Sequence, residues 1–113
     1  MDPENKGTLS PDEKLMFYVL VSNGMWPLDE KARAKGKSED DPIIIDLKED
    51  YVRAEYLVVG HLLYPLKNEF KRQLLMEKNG RYYDLLIFNV TEEDGTEHEE
   101  SFYFDITVGY NAL

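Results

Sequence analysis

The chain has 113 residues, which is enough for one domain that buries roughly two thirds of its extended-chain surface. Its formal net charge is −10, from 23 acidic and 13 basic residues, and this disfavours a nucleic-acid partner because a phosphate backbone is also negative. The chain contains no cysteine, so disulfides, thiolate nucleophiles and cysteine-ligated metal centres are excluded.

The first residues predict an arm followed by a helix. Residues 1–9 are polar and indicate a flexible N-terminal arm, and residues 10–113 are expected to form a single α+β domain. Ser10 and Glu13 have the spacing of a capping box, in which each side chain bonds the other residue's backbone N–H. We therefore expect a helix over residues 11–23, before a glycine.

The middle of the chain predicts a short helix, an extended segment and a long helix. Residues 28–35 favour a short helix that carries the chain's basic cluster, and Ile43–Ile45 is β-branched and favours extended backbone. Asp46 and Glu49 form a second capping-box pattern, which predicts a helix over residues 47–63. Its apolar stripe consists of Leu47, Tyr51, Ala54, Val58 and Leu62.

The last third of the chain predicts three antiparallel strands over residues 69–78, 81–91 and 98–108. The first of these also fits a helix from Leu66, but Asn79-Gly80 between apolar segments is a strong hairpin signal and favours the strand. The predicted fold is therefore α+β, with N-terminal helices packed on a C-terminal three-stranded antiparallel β-meander.

The Asp94-Gly95 dipeptide predicts the register of the second hairpin. A two-residue turn there pairs Leu85 with Phe104 and places Asp84 directly opposite Asp105. The predicted core side chains, on the helices and on the Leu85 face of the sheet, are Leu20, Val58, Leu62, Leu85, Ile87, Phe102 and Phe104. The other, tyrosine-rich face is the candidate binding site, formed by Asp84, Asp105, Tyr82, Tyr103 and Thr107.

Two opposed carboxylates repel each other and need an explanation. A cation or basic partner could lie between them, or one carboxyl could hold a proton as in an acid–base pair. Alternatively, a lysine or arginine could neutralise them, or a bulge could shift the register so that they never meet. His61, His98 and Ser10 form no zinc, triad or nucleophile pattern. We expect His61 to be half-buried and hydrogen-bonded, His98 to be solvated, and Ser10 to cap its helix. No catalytic residue, metal or cofactor is therefore predicted.

Several short motifs resemble small bacterial proteins of unknown function. They are Gly80-Arg81-Tyr82-Tyr83-Asp84, Asp94-Gly95, Phe102-Tyr103-Phe104-Asp105-Ile106 and, in the preceding helix, Glu49-Asp50-Tyr51. The resemblance covers about residues 43–107. It implies no activity, but it implies that Asp84 and Asp105 belong together.

The acidic hairpin and the charge favour a non-enzymatic protein-binding module, an inhibitor or immunity-type partner of a basic protein. The alternative is a metal-dependent binding domain or enzyme that uses Asp84 and Asp105. A third hypothesis is a homo-oligomer formed through the tyrosine-rich face. No membrane segment is expected, since Leu15–Val21 is too short to cross a bilayer. The polar start predicts a cytoplasmic protein, whereas a signal already removed would predict a periplasmic or secreted one.

Overall fold

The fold is that of a computed structural model, and the structure describes residues 8–113. The predicted arm at residues 1–9 therefore lies outside the described residues, except for its last two positions. The described chain forms, in order, α1 (Pro11–Ser22), α2 (Glu30–Ala34), β1 (Ile43–Ile44), α3 (Tyr51–Leu63), β2 (Lys67–Lys78), β3 (Arg81–Thr91), β4 (Glu97–Asp105) and α4 (Thr107–Asn111).

The strands form one mixed sheet in the order β1-β4-β3-β2. The α+β class is confirmed, and β2, β3 and β4 form the predicted antiparallel meander. The sheet also contains a fourth strand, since the extended segment pairs in parallel with β4, with Ile43 beside Phe104. The side chain of Asn23 donates to the carbonyl of Ile44 and accepts from its N–H, both at 2.8 Å, which ties the end of α1 to β1.

The first helix agrees with its sequence signals. Ser10 Oγ accepts from the Glu13 N–H at 3.2 Å, and the Glu13 carboxylate accepts from the Ser10 N–H at 3.0 Å. These bonds satisfy backbone donors that the first turn of a helix leaves without partners. Gly24 follows with a φ of 68°, the left-handed geometry expected where a helix stops.

The start predicted for the second long helix is wrong. α3 begins at Tyr51, and Asp50 precedes it with a φ of 60° and no side-chain cap, so the Asp46 capping box does not form. The segment before α3 is instead held by α4, because Gly109 packs so closely on Leu47 and Tyr51 that a Cβ has no room there. This contact joins residues about sixty positions apart and overrides a local capping pattern.

The strand predicted to continue to residue 108 ends at Asp105. The Asp105 carboxylate accepts from the N–H and hydroxyl of Thr107, at 3.1 and 2.6 Å, and this turns the chain into α4. Tyr110 of α4 then stacks on Tyr82, with ring centroids 4.0 Å apart. By contrast, the strand prediction for the ambiguous stretch is confirmed, because β2 spans Lys67–Lys78.

All four helices pack on the same side of the sheet, here called the helix-side face. Its strand side chains belong to the main core, namely Leu86, Phe88, Val90, Phe102, Phe104 and Ile106. Leu85 and Ile87 are buried as predicted, but they point to the opposite side, here called the far face, and lie outside this core. The prediction therefore assigned β3 to the wrong face.

Candidate functional site

The predicted pairing of Asp84 with Asp105 does not occur. Asp84 lies opposite Phe104 and Asp105 lies opposite Tyr83, which is a shift of one residue. The turn causes the shift, because its loop has three residues rather than two: the Glu92 N–H donates to the Thr96 carbonyl, and Gly95 has a φ of 89°. A one-residue shift moves alternate side chains to opposite faces, so the two carboxylates lie on different sides of the sheet.

The other predicted site residues are separated in the same way. Tyr82 lies on the helix-side face against Tyr110, whereas Tyr103 lies on the far face with Asp105. Thr107 lies just past the end of β4, where its hydroxyl donates to Asp105 and accepts from the backbone N–H of Tyr82 at 3.0 Å. The five residues therefore do not line one surface, and the tyrosine-rich face expected from the sequence is not formed.

Asp105 is a neutralised, structural carboxylate. It is nearly buried and accepts from Arg81 Nε at 2.7 Å in addition to its bonds from Thr107. Burial alone raises the pKa of Asp105, but the bonds from Arg81 and Thr107 outweigh burial and hold that pKa below its ordinary value. This is the neutralisation by arginine that the sequence left open as one explanation, acting on one aspartate only.

We expect Asp105→Asn to lower the free energy of unfolding at pH 7 by about 1–3 kcal/mol, because Arg81 loses its charged partner. The loss should begin to shrink as the pH falls through the ordinary aspartate pKa of 3.8 and should vanish only below the lowered pKa of folded Asp105, since such a carboxyl stabilises only where it is ionised. Urea titrations across this pH range measure both effects. The exposed Asp40→Asn is the control, and an equal effect from the two variants would contradict a structural role for Asp105.

The most unusual group in the described chain is a buried pair that joins α3 to β3. Glu55 of α3 has 0% of its surface exposed, and Asp84 of β3 has 1%. They meet between α3 and the helix-side face of the sheet. Asp84 Oδ1 accepts from Gln73 Nε2 at 2.9 Å. Asp84 Oδ2 and both Glu55 oxygens have no donor among the described residues. Two ionised carboxylates in this position would be strongly unfavourable, so one of them must hold a proton.

That proton belongs on Glu55. Burial, followed by the charge of Asp84 and the hydrogen bond between the two carboxyls, raises the pKa of Glu55 to about 10. At neutral pH Glu55 is thus a carboxylic acid that donates to Asp84, and this bond supplies a partner for one oxygen of each carboxyl group. Burial and the two carboxyls also raise the pKa of Tyr51 and Tyr56, which flank Glu55 on α3.

The Glu55–Asp84 pair was not predicted, although one signal was available. Glu55 lies four residues after Tyr51 and three before Val58, and so it falls on the apolar stripe of the helix. A carboxylate inside such a stripe must find a partner in the core. Both side chains are sealed from solvent, and the hydrogen bond between them joins α3 to β3.

The two histidines form no ligand cluster. His61 is half-buried as predicted and lies near the rings of Phe17 and Trp26, but its Nε2 has no hydrogen-bond partner within residues 8–113. His98 is exposed. Its Nδ1 lies 3.6 Å from a carboxylate oxygen of Glu92, and its Nε2 lies 3.6 Å from a carboxylate oxygen of Glu100. In the described part of the chain, no group of three or more histidine, aspartate or glutamate side chains is arranged to hold a metal ion.

No family model, curated protein or solved structure matches this chain. The resemblance of residues 43–107 to small bacterial proteins therefore stays a prediction. Over residues 8–113, no helix has the length and apolar character needed to cross a membrane.

Proposed function

We propose that this protein is a non-enzymatic binding module for a basic protein, of the inhibitor or immunity type. The observation that carries the proposal is the end of the β3–β4 hairpin, residues 92–100, here called the acidic tip. It holds the six carboxylates of Glu92, Glu93, Asp94, Glu97, Glu99 and Glu100 without a lysine or arginine. Four of these side chains are exposed, and the other two are half-buried.

Much of the charge of the acidic tip is available to a partner. Lys37 lies 3.6 Å from Glu100 and Arg72 lies 3.7 Å from Glu99, both as loose surface pairs. Within residues 8–113, Glu93 and Glu97 have no lysine or arginine nitrogen within 4.0 Å. A surface of one charge attracts an oppositely charged protein and accelerates its association.

The acidic tip is also held in a defined shape. Nine residue pairs join β3 and β4, from Tyr83 with Asp105 to Thr91 with Glu97. In the loop, Asp94 Oδ1 accepts from the hydroxyl and the N–H of Thr96, at 2.6 and 2.9 Å, and these bonds lower the pKa of Asp94. A surface that is already ordered loses less conformational entropy on binding than a disordered acidic tail.

The alternative function, a metal-dependent binding domain or an enzyme, depended on an arrangement of carboxylates that is not formed. It required Asp84 and Asp105 side by side, whereas these side chains lie on opposite faces. Asp84 is sealed beneath α3 with Glu55, and Asp105 is neutralised by Arg81. The buried carboxyls thus support a structural role, while the exposed ones support binding.

The test neutralises three exposed carboxylates of the acidic tip, with the variant Glu93→Gln, Glu97→Gln, Glu99→Gln. A partner captured from the source cells and purified should be basic, and the variant should weaken its binding by about tenfold or more. The main loss should appear in the association rate and should shrink at high salt, because long-range attraction is screened. Surface plasmon resonance at several salt concentrations measures these quantities.

The matched control neutralises three exposed carboxylates elsewhere, with the variant Glu30→Gln, Asp40→Asn, Glu49→Gln. It changes the net charge equally, so we expect its affinity to stay within about twofold of the unmodified protein. Equal losses from both variants would show that only the total charge matters. If no basic protein is captured at low salt, the proposal itself is contradicted.

A further inference from the structure

A cavity of about 210 Å³ lies at the end of α3, on the helix-side face of the sheet. Its apolar lining consists of Leu62, Leu63, Leu66 and Phe102. The volume corresponds to roughly seven water molecules at the density of the liquid. A cavity of this size suits a small metabolite and is too small for a nucleotide or a drug-sized molecule.

Charged side chains of both signs surround the apolar lining. Two cations come from Arg33 of α2 and from Lys37, and two carboxylates come from Glu92 and Glu100 of the β3–β4 hairpin. The formal charge around the cavity is therefore zero. A phosphate would be repelled by the two carboxylates and a polyamine by the two cations, so the cavity favours a ligand that is neutral overall.

Arg33 has hydrogen-bond donors to spare. Its Nη1 donates at 2.9 Å to the carbonyl of Leu62, in the turn of α3 whose carbonyls lack helical partners. Within residues 8–113, the side chain of Arg33 makes no other hydrogen bond and has no carboxylate within 4.0 Å. A guanidinium carries five N–H groups in a planar fork that matches the geometry of a carboxylate. The group of a ligand that fits beside Arg33 is therefore a carboxylate.

The two carboxylates of the cavity are only loosely paired. Glu100 lies 3.6 Å from Lys37 Nζ, which is longer than a direct hydrogen bond. Glu92 and Glu100 each lie 3.6 Å from a ring nitrogen of His98, and His98 forms ion pairs with them only when it is protonated. Both carboxylates are thus able to accept hydrogen bonds from an ammonium group of a ligand.

Contacts of the backbone fix the wall of the cavity that carries Lys37. The Tyr103 N–H donates to the Gly36 carbonyl at 2.7 Å, and the Gly36 N–H donates to the Asp41 carbonyl at 2.8 Å. Lys37 Nζ lies 4.2 Å from the centroid of the Phe102 ring. Because these contacts already order the segment after α2, a ligand loses less free energy in ordering the cavity.

We propose that this cavity binds a free amino acid with a small apolar side chain, such as leucine or valine. The α-carboxylate bonds to Arg33, and the α-ammonium group contacts Glu92 and Glu100. The side chain packs on the apolar lining. A zwitterion is neutral overall and carries its two charged groups on one carbon, and this matches a small cavity with charges of both signs. The proposal does not depend on the function proposed above, since Glu93, Glu97 and Glu99 do not line the cavity.

The first test titrates the unmodified full chain with L-leucine and follows the backbone amide shifts by NMR. We expect saturable shifts around the cavity, with a Kd on the order of 1 mM for a ligand of about nine non-hydrogen atoms. Isoamylamine lacks the carboxylate and 4-methylpentanoate lacks the ammonium group, so each should bind at least about tenfold more weakly. Equal binding of the three compounds, or no saturable binding of leucine or valine up to about 20 mM, would overturn the proposal.

The second test removes the partner of the carboxylate. Arg33→Gln should weaken the binding of leucine by about tenfold, and it should leave isoamylamine unaffected because that compound has no carboxylate. Lys31→Gln is the matched control, since Lys31 is an exposed cation of the same helix that does not line the cavity, and its effect should stay within about twofold. If the two variants lose equal affinity, Arg33 does not bind the ligand and the proposal is wrong.

The third test removes the partners of the ammonium group. The double variant Glu92→Gln, Glu100→Gln should weaken the binding of leucine by about tenfold and strengthen that of 4-methylpentanoate, because two charges that repel its carboxylate are gone. The control Glu93→Gln, Glu97→Gln changes the net charge equally and should affect neither compound. Should Arg33→Gln fail to fold, this pair of variants and the titrations of the unmodified chain still decide. A parallel loss for leucine and 4-methylpentanoate would contradict the assigned ammonium contact.

Discussion

Replacing Glu55 with glutamine is expected to raise the free energy of unfolding at pH 7 by about 3 kcal/mol. In the folded protein Glu55 must hold a proton, because burial and the charge of Asp84 raise its pKa to about 10. In the unfolded chain the same group ionises near its ordinary pKa, so folding at pH 7 requires a proton to be taken up. Glutamine is neutral in both states, and its amide can still donate to Asp84.

The dependence on pH identifies the cause of this effect. Below the ordinary pKa of glutamate, Glu55 is protonated in both the folded and the unfolded states, so the variant gains nothing there. Between that pH and about 10, the folded state binds one more proton than the unfolded state, and the stability of the unmodified protein falls as pH rises. Glu55→Gln should therefore match the unmodified protein below about pH 4 and gain stability over it as the pH rises above the ordinary glutamate pKa of 4.5, by slightly more than about 1 kcal/mol per pH unit.

Chemical denaturation between pH 4 and 8 measures the difference, and the exposed Glu49→Gln is the control that should show almost none. A loss of stability at pH 7 would mean that the folded protein uses an ionised Glu55. A gain in stability that does not change with pH would mean that glutamine packs better than glutamate, and that proton uptake is not the cause.

Replacing Phe104 with alanine is expected to lower the free energy of unfolding by about 3–5 kcal/mol. Phe104 is completely buried and lies at the centre of the sheet, between Ile43 of β1 and Asp84 of β3. Removal of the ring loses its burial and leaves a cavity that rigid strands on both sides cannot close. Equilibrium urea denaturation at pH 7 measures the loss.

Leu74→Ala is the control for Phe104→Ala, because Leu74 lies half-exposed on the far face. We expect it to change the stability by less than about 1 kcal/mol. A similarly small loss for Phe104→Ala would contradict the assignment of Phe104 to the helix-side core.

The elements that were predicted well depend on contacts between near neighbours in the chain. The Ser10–Glu13 capping box joins residues three apart, and it is formed. The Asn79-Gly80 turn joins β2 to β3, and the hairpin that this dipeptide predicted is confirmed. In both cases the deciding hydrogen bonds or dihedral angles belong to a few consecutive residues.

The second hairpin shows how a small local ambiguity becomes a large error. Asp94-Gly95 fits a two-residue turn, but a three-residue loop with a left-handed glycine uses the same dipeptide. The choice between them moves the register by one residue and exchanges the two faces of β4 relative to β3. The candidate site built on Asp84 and Asp105 depended on that choice, and it was wrong for that reason.

The amino-acid sequence by itself determined the α+β class, the extent of α1, the β2–β3 hairpin and the acidic tip, because these follow from local hydrogen bonding, periodicity and charge. Only the tertiary structure decided which face of the sheet the helices cover, and that Ile43–Ile44 pairs in parallel with β4. It also decided that Glu55 meets Asp84 and that Arg81 meets Asp105. Each of these contacts joins residues more than twenty positions apart, and the free energy that selects it comes from burial and pairing in the assembled core rather than from the local chain.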